Sequence, residues 1–369
     1  MPHRCWAEID LAALRHNVAA IRARLAPVAR IMAVVKANAY GHGAATVARA
    51  LAGQVEMFGV ANVAEAREVR AHAPETPVFI LGPALPEERA EIVAAGFIPS
   101  VSDAAEARAF SDLGGGRRVP VHLVIDTGMG RIGVWAGEAV AVAYDILAMS
   151  GIEIAGLASH LPVADEDAAF TREQLAHFQR LTAELRALGI ARPVVHCENS
   201  AGVLAFPTQA GDMVRTGLAL YGSSPLPAFQ PLLRAALIWK TRITLVREVG
   251  AGRGISYGRT FITEHPMRVA TLAVGYADGY QRHLSGRGAE VLIRGHRCAV
   301  LGRVTMDQIM ADVTALPDVA AGEEVVLIGR QGDEEISAAD IARKAGTIPW
   351  EIFTGLGRRV ERVYLADGD

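Results

Sequence analysis

The sequence predicts an α/β fold: an N-terminal (β/α)8 barrel of the TIM type over residues 1–236, then a mostly β domain over residues 237–369. Two patterns predict it. From about residue 30 to 220, short apolar runs alternate with alanine-rich amphipathic segments, the signature of strands each followed by a helix. After Ala236 the rhythm changes to short β-like runs separated by Gly and Asp turns. Eight strand-like runs in the first part favour a closed barrel over an open doubly wound sheet, the main rival. With 369 residues, 51% of them hydrophobic, the chain has the material for a large core in two domains.

The elements follow in order. Asp10 is placed to cap a first helix in which Leu11, Leu14, Val18, Ile21 and Leu25 recur at helical spacing. The predicted strands are residues 31–36, 57–61, 77–81, 97–101, 120–126, 154–159, 193–198 and 213–218. Between them the periodicity predicts helices over 65–71, 86–95, 104–110, 138–148 and 171–188. In the second part, 237–249, 267–274, 289–293, 298–304, 309–313 and 324–328 read as strands. There only 337–345 reads as a helix, opened by Ser337 and Asp340 at capping-box spacing.

Composition narrows the function. The net charge of −3 is interspersed, which argues against nucleic-acid binding by bulk electrostatics. Cys5, Cys197 and Cys298 form no C-x-x-C motif, so neither a disulfide framework nor a zinc site is supported, and no metal is expected. Residues 1–8 lack a signal-peptide apolar core and no uncharged apolar stretch reaches spanning length, so a soluble, cytoplasmic protein is expected.

Lysine is nearly absent, which makes Lys36 conspicuous. Only Lys240 and Lys344 accompany it, and arginine carries positive charge elsewhere. Lys36 ends a buried-type run and is followed by Ala37-Asn38-Ala39-Tyr40-Gly41-His42-Gly43. Burial lowers an amine's pKa and makes it a nucleophile toward aldehydes, which suits a Schiff base to an aldehyde cofactor. The bland alternative is a strand-end lysine reaching water.

Barrel sites are built at the C-terminal ends of strands. At those ends lie Lys36 and Tyr40, the loop Asp126–Gly133 with Arg131, then His160, Asn199-Ser200-Ala201-Gly202, and Arg215 ahead of Gly217-Leu218. The small-residue loops are suited to hold a phosphate through backbone N–H groups. Gly128-x-Gly130-x-x-Gly133 also matches the dinucleotide fingerprint on paper, but it lies in mid-chain and lacks an acid at the end of the next strand.

Together these residues resemble the alanine racemases, a family that uses pyridoxal 5'-phosphate (PLP). The likeness rests on Ala33–Gly43, Asp126–Gly133, Ser256-Tyr257-Gly258, Val274–Gly279 (with Tyr276) and Gly302–Gln308 (with Met306 and Asp307), and runs over nearly the whole chain. It implies that Lys36 binds PLP and is one catalytic base, and that Tyr257 of a partner subunit is the other, in a head-to-tail homodimer. It implies that Tyr40, Ser200, Gly217 and Leu218 hold the phosphate, with Asn199 beside them, and that Arg215 faces the pyridine nitrogen. His160 is implied between Tyr257 and Arg215. Arg131, Met306, Tyr257, Tyr276 and Asp307 are implied to bind substrate, L- or D-alanine. A broader amino-acid racemase accepting serine or larger side chains is the alternative on the same scaffold, and a non-catalytic PLP carrier a further one.

Two departures stand out. Many relatives carry a carbamylated lysine where this chain has Val124, so Arg131 lacks an expected negative partner; chloride or another carboxylate is expected to compensate it. Arg358 falls near a tyrosine that gates the site in many relatives, which alters the electrostatics of access.

Overall fold

The computed structural model describes residues 3–206 and 211–365, so the outermost limits of the expected domains lie outside the described residues. The chain divides into two compact units, one of residues 14–39 and 43–234, the other of residues 3–13, 40–42 and 235–365.

The first unit is an eight-stranded parallel barrel. Its strands are Arg30–Val34, Met57–Val60, Val78–Pro83, Ile98–Val101, Val119–Asp126, Ile152–Ala158, Val194–His196 and Met213–Thr216. The last pairs with the first, Met213 opposite Arg30. Between the seventh and eighth the ring is drawn together by Asp212 N–H to Val195 O (2.8 Å) and Arg215 N–H to Glu198 O (2.9 Å). Strands walled on both faces must be continuously apolar, and Ile31, Met32, Ala33 and Val35 are all fully buried. Met32, Met57, Phe79 and Met213 pack together as one core cluster.

Helices alternate with the strands, and their starts follow capping chemistry. Asn62, Asp103 and Asp167 each accept a backbone N–H of the first helical turn. The helices Ala44–Leu51 and Ser200–Ala205 were not expected. The first begins at Gly43, which has no capping side chain, so no start signal marks it.

The second unit is a nine-stranded sheet. Six of its strands close on themselves, because Leu237–Val249 pairs with both Met267–Leu272 and Glu324–Gln331. Cys5–Asp10 adds to Leu237–Val249 antiparallel and to Glu361–Leu365 parallel. That corrects the expected boundary at residue 1: the first strand belongs to the second unit's sheet rather than to the barrel. Its alternating polar positions, Glu8 and Asp10, carry the period of a strand and mark it as distinct from the barrel runs. A second helix, Pro349–Thr354, joins the expected one at Ala338–Ala345, whose Ser337 and Asp340 form the capping box.

Asn17 shows how closely the barrel unit depends on single polar contacts. Fully buried, it donates to Leu220 O (3.0 Å) and Arg234 O (2.8 Å) and accepts from Arg234 N–H (2.8 Å). Asn17→Ala strands those backbone groups without partners and is expected to cost about 2–4 kcal/mol. A clear fall in the urea midpoint of the variant checks this; an unchanged midpoint refutes it.

Candidate active site

The strand Arg30–Val34 leads to Lys36 through Val35, whose N–H is fixed to Gly59 O at 2.9 Å. The four residues that follow are in left-handed conformation, with φ of 51° at Ala37, 53° at Asn38, 52° at Ala39 and 51° at Tyr40. For L-residues other than Gly this costs about 1–2 kcal/mol each, so the surroundings must over-determine the turn. Glu65 does much of this, accepting Ala37 N–H and Ala61 N–H, each at 2.8 Å. Ala39 N–H bonds back to Val35 O, Gly43 N–H to Asn38 O, and the Asn38 side chain takes Ala44 N–H at 2.8 Å. The result is a half-buried amine with a fixed exit from its strand.

Two guanidiniums act on that amine. Burial, then Arg131 and Arg215, lower the Lys36 pKa, and Glu65 opposes them. Arg131 is presented by a loop wrapped around the Asp126 carboxylate, which accepts the N–H groups of Gly128, Met129 (both 2.9 Å) and Arg131 (3.1 Å). At Gly133 (φ 103°) a Cβ would press into the Val124 carbonyl, so glycine is required there. These glycines serve the loop itself. The motif runs into the short strand Val134–Trp135 rather than opening a helix, which disposes of the dinucleotide reading.

Arg215 is buried in the barrel. It donates to His196 Nδ1 (2.6 Å), His160 Nδ1 (3.1 Å), and the carbonyls of His196 (2.8 Å), Cys197 (3.1 Å) and Ser159. Because a guanidinium only donates, both imidazoles must accept at Nδ1 and carry hydrogen on Nε2. His196 Nε2–H then donates to His122 Nδ1 at 2.8 Å, which fixes the third tautomer in turn. All three histidines are held neutral: burial and the Arg215 charge push His160 and His122 down to about 3, and His196 well below its ordinary value. Phe79 stacks on His122 with ring centres 4.6 Å apart.

Ser200 and the loop after the eighth strand form a tight seat. Ser200 Oγ accepts Gly217 N–H (3.1 Å) and Ala219 N–H (3.2 Å), and Leu218 is buried beside them. Asn199 caps the helix Ser200–Ala205 and donates to Leu161 O, so its amide is committed to backbone. Thr216 Oγ1 is buried here with no hydrogen-bond partner among the described residues, an atom that a polar ligand would satisfy. Tyr40 is also buried, its phenol pushed up to about 12, and so remains a neutral donor.

In the second unit Tyr276, Met306 and Asp307 are brought together. Tyr276 and Ala277 N–H groups bond to the carbonyls of Thr305 and Met306 at 3.0 Å, while Arg359 ties Asp307 (2.8 Å) to Asp278 (3.0 Å). Tyr257 sits on a short turn after Ser256, whose φ is 65° and whose hydroxyl donates to Arg303 O at 2.6 Å. Tyr257, Met306 and Tyr276 are 71%, 52% and 42% exposed, far too open for core residues.

Comparison with known proteins decides the family. Residues 9–225 match the profile of the alanine racemase N-terminal domain and residues 236–364 that of its C-terminal domain. The chain belongs to the alanine racemase family. An alanine racemase of Symbiobacterium thermophilum is 44% identical over 365 residues, 97% of this chain and 96% of that one. One of Nostoc sp. is 42% identical over 98% of this chain and 95% of its own length. Among solved structures, alanine racemase of Clostridium difficile 630 superposes with a TM-score of 0.94 at 33% identity, covering 100% of this chain and 97% of that one. That of Streptomyces lavendulae gives 0.89 at 39% identity, covering 99% and 98%.

Within this alanine racemase scaffold, the sequence reading missed the groups that hold others in place. Glu65 carried a signal, since it stands three residues after Asn62 in a helix-start pattern. Gln174, which donates to Thr127 Oγ1 (2.9 Å) and His160 O (2.8 Å), carried none. The carboxylate expected to compensate Arg131 is not found among the described residues. Its side chain is exposed rather than buried, so water screens the charge. Arg358 is likewise exposed.

Two outcomes are expected. Removing a neighbouring cation must raise an amine's pKa and removing an anion must lower it. Arg131→Gln therefore moves the pH midpoint of Lys36 trapping by an aldehyde and borohydride upward, and Glu65→Gln moves it downward. Shifts of the same sign in both would contradict the electrostatic account. Second, a histidine held neutral in the fold takes up protons on unfolding below its ordinary pKa of 6.5. Stability is then full above that pH and is lost as pH falls toward 3. At pH 5 each such histidine costs about 2 kcal/mol, and His122→Asn should lose less stability between pH 7 and 5 than the parent in urea titrations.

Proposed function

We propose that the chain interconverts L-alanine and D-alanine with PLP, as a cytoplasmic head-to-tail homodimer in which each site draws on both subunits. The observation that carries it is the desolvated Lys36 amine between the Arg131 and Arg215 charges at the barrel's strand ends, in a chain of this family. The donor set fits the cofactor: an amine for its aldehyde, Ser200, Tyr40, Thr216 and the Gly217–Leu218 backbone for its phosphate, and Arg215 for its ring nitrogen. When bound, PLP supplies a conjugated ring that spreads the charge left when an α-proton departs.

The chain's own residues do the rest. Lys36, with its pKa lowered, would hold the cofactor's aldehyde carbon until the substrate's amine displaces it, and the freed Nζ would then take or return a proton on one face. Tyr257 of the partner subunit takes or returns one at its phenolic oxygen on the other, and its exposure in the single chain suits a side chain offered outward. Arg215 hydrogen-bonds the ring nitrogen without giving up its proton. A ring left unprotonated is a weaker electron sink, which shortens the life of the carbanion and favours return of the proton over side reactions. Arg131 binds the substrate carboxylate and Met306 limits the side-chain pocket, with Tyr276 and Asp307 beside it. The three cysteines are buried and unpaired, as suits a reducing compartment.

Lys36→Ala and Tyr257→Phe should each lower racemisation at least about 100-fold. Mixed and allowed to exchange subunits, the two variants should recover about a quarter of parent activity, because half of the dimers then hold one intact site of two. Formation of D-alanine with α-deuterium from L-alanine in heavy water reads the activity. No recovery on mixing, with subunit exchange verified, would place both residues in a site built from one chain and overturn the shared-site reading.

A further inference from the structure

At the opposite end of the barrel from Lys36, the N-terminal ends of three neighbouring strands line an open cleft of 430 Å³. Its walls are Arg30, Arg186, Arg192, Asp212, Ile190 and Pro193. Three guanidiniums face one carboxylate there, and Arg186 already engages it, Nη2 to Asp212 Oδ2 at 3.2 Å. Asp212 Oδ2 is further occupied by Val195 N–H at 3.1 Å. Among the described residues, neither the Arg30 nor the Arg192 guanidinium has a carboxylate partner. The cleft therefore gathers three guanidiniums around one carboxylate that is already shared with a backbone N–H.

The backbone adds a second observation. Arg192 has a φ of 51°, in the left-handed region that a long L side chain avoids. It precedes Pro193, a position that favours extended backbone. Arg259 and Arg294 share this conformation at φ 48° and 51°, so it sets where the Arg192 side chain leaves the chain and does not by itself mark a function. Planar forked guanidiniums match phosphate oxygens better than any other side chain. The cleft is larger than an orthophosphate and of the size that takes small organic ligands. Ile190, buried, and Pro193 offer an apolar wall beside the charges.

We propose that this cleft is a second anion site, which takes a small phosphate ester with its phosphate on Arg30, Arg192 and Arg186 and its organic part against Ile190 and Pro193. It is separate from the cofactor seat at Ser200 and Gly217, which lies beyond the other ends of the same strands.

The test uses the PLP-loaded enzyme, in which the other phosphate seat is filled. Calorimetric titration with phenyl phosphate, inorganic phosphate and chloride at constant ionic strength reads the site. One saturable site per chain is expected for phenyl phosphate, with inorganic phosphate weaker and chloride silent. Arg192→Gln and Arg30→Gln should each weaken binding about tenfold, and Ile190→Ser should weaken phenyl phosphate but not inorganic phosphate. Equal affinity for the two phosphates, unaffected by Ile190→Ser, would assign the cleft to free phosphate and overturn the ester reading. No saturable phosphate binding at millimolar concentration, or binding indifferent to both arginine variants in protein of parent-like circular dichroism, would overturn the site altogether.

Discussion

A permanently charged guanidinium sits inside the barrel, and its hydrogen-bond partners are neutral. Arg215 donates to two imidazoles and three backbone carbonyls. A buried charge without a counter-ion is costly, and even here burial pulls the Arg215 pKa down to about 10. That constraint propagates. Acceptors around a cation must not themselves become cations, so His160 and His196 are locked as neutral Nδ1 acceptors. His122 is locked behind His196, and the aromatic face of Phe79 closes over both rings. At Gly156 even a methyl group would run into the His122 ring, so the barrel wall is fitted to this chain of rings.

The same field explains the amine. Lys36 lies within reach of Arg215 and Arg131, and its protonated form is disfavoured for the same reason that the imidazolium forms are. Burial first, and then the two guanidiniums, lower the affinity of the Lys36 amine for a proton. Glu65 moderates the effect. Its carboxylate, occupied by two backbone N–H groups, raises the Lys36 pKa against the net lowering.

Much of this was legible from residues. The alternation of apolar runs and amphipathic segments predicted the barrel, and the scarcity of lysine singled out Lys36, which the structure holds half-buried at the end of the first barrel strand. What escaped the sequence has physical reasons. Cys5–Asp10 pairs with strands more than 200 residues away, and no local pattern encodes a partner at that distance. The left-handed turn at Ala37–Tyr40 is built of residues that normally avoid it, so propensity argues against the very conformation the tertiary contacts impose. His122 and His196 read as ordinary strand residues, because their meaning lies in a side-chain chain across the barrel interior. Asp126 was seen as part of a motif, but that its carboxylate gathers the loop's N–H groups follows only from the folded turn.

The division of the chain into two units carries a consequence for how function arises. The barrel unit supplies an amine and cations, and every carboxylate close to them is tied to backbone or held low in charge by burial, as Glu198 is with its pKa raised. His160 is poorly suited to act as a second proton carrier: with a pKa near 3 and Nδ1 accepting from Arg215 it stays neutral, and the Nε2–H of a neutral imidazole is too weak an acid to give up at neutral pH. A phenol is different. It is neutral in water, costs little to desolvate beside cations, and becomes a better acid as positive charge surrounds it. The second unit leaves Tyr257 exposed on a turn held by the Ser256 hydroxyl's bond to Arg303 O. In the site we propose, this phenol is what the partner subunit adds to the amine and cations of the barrel.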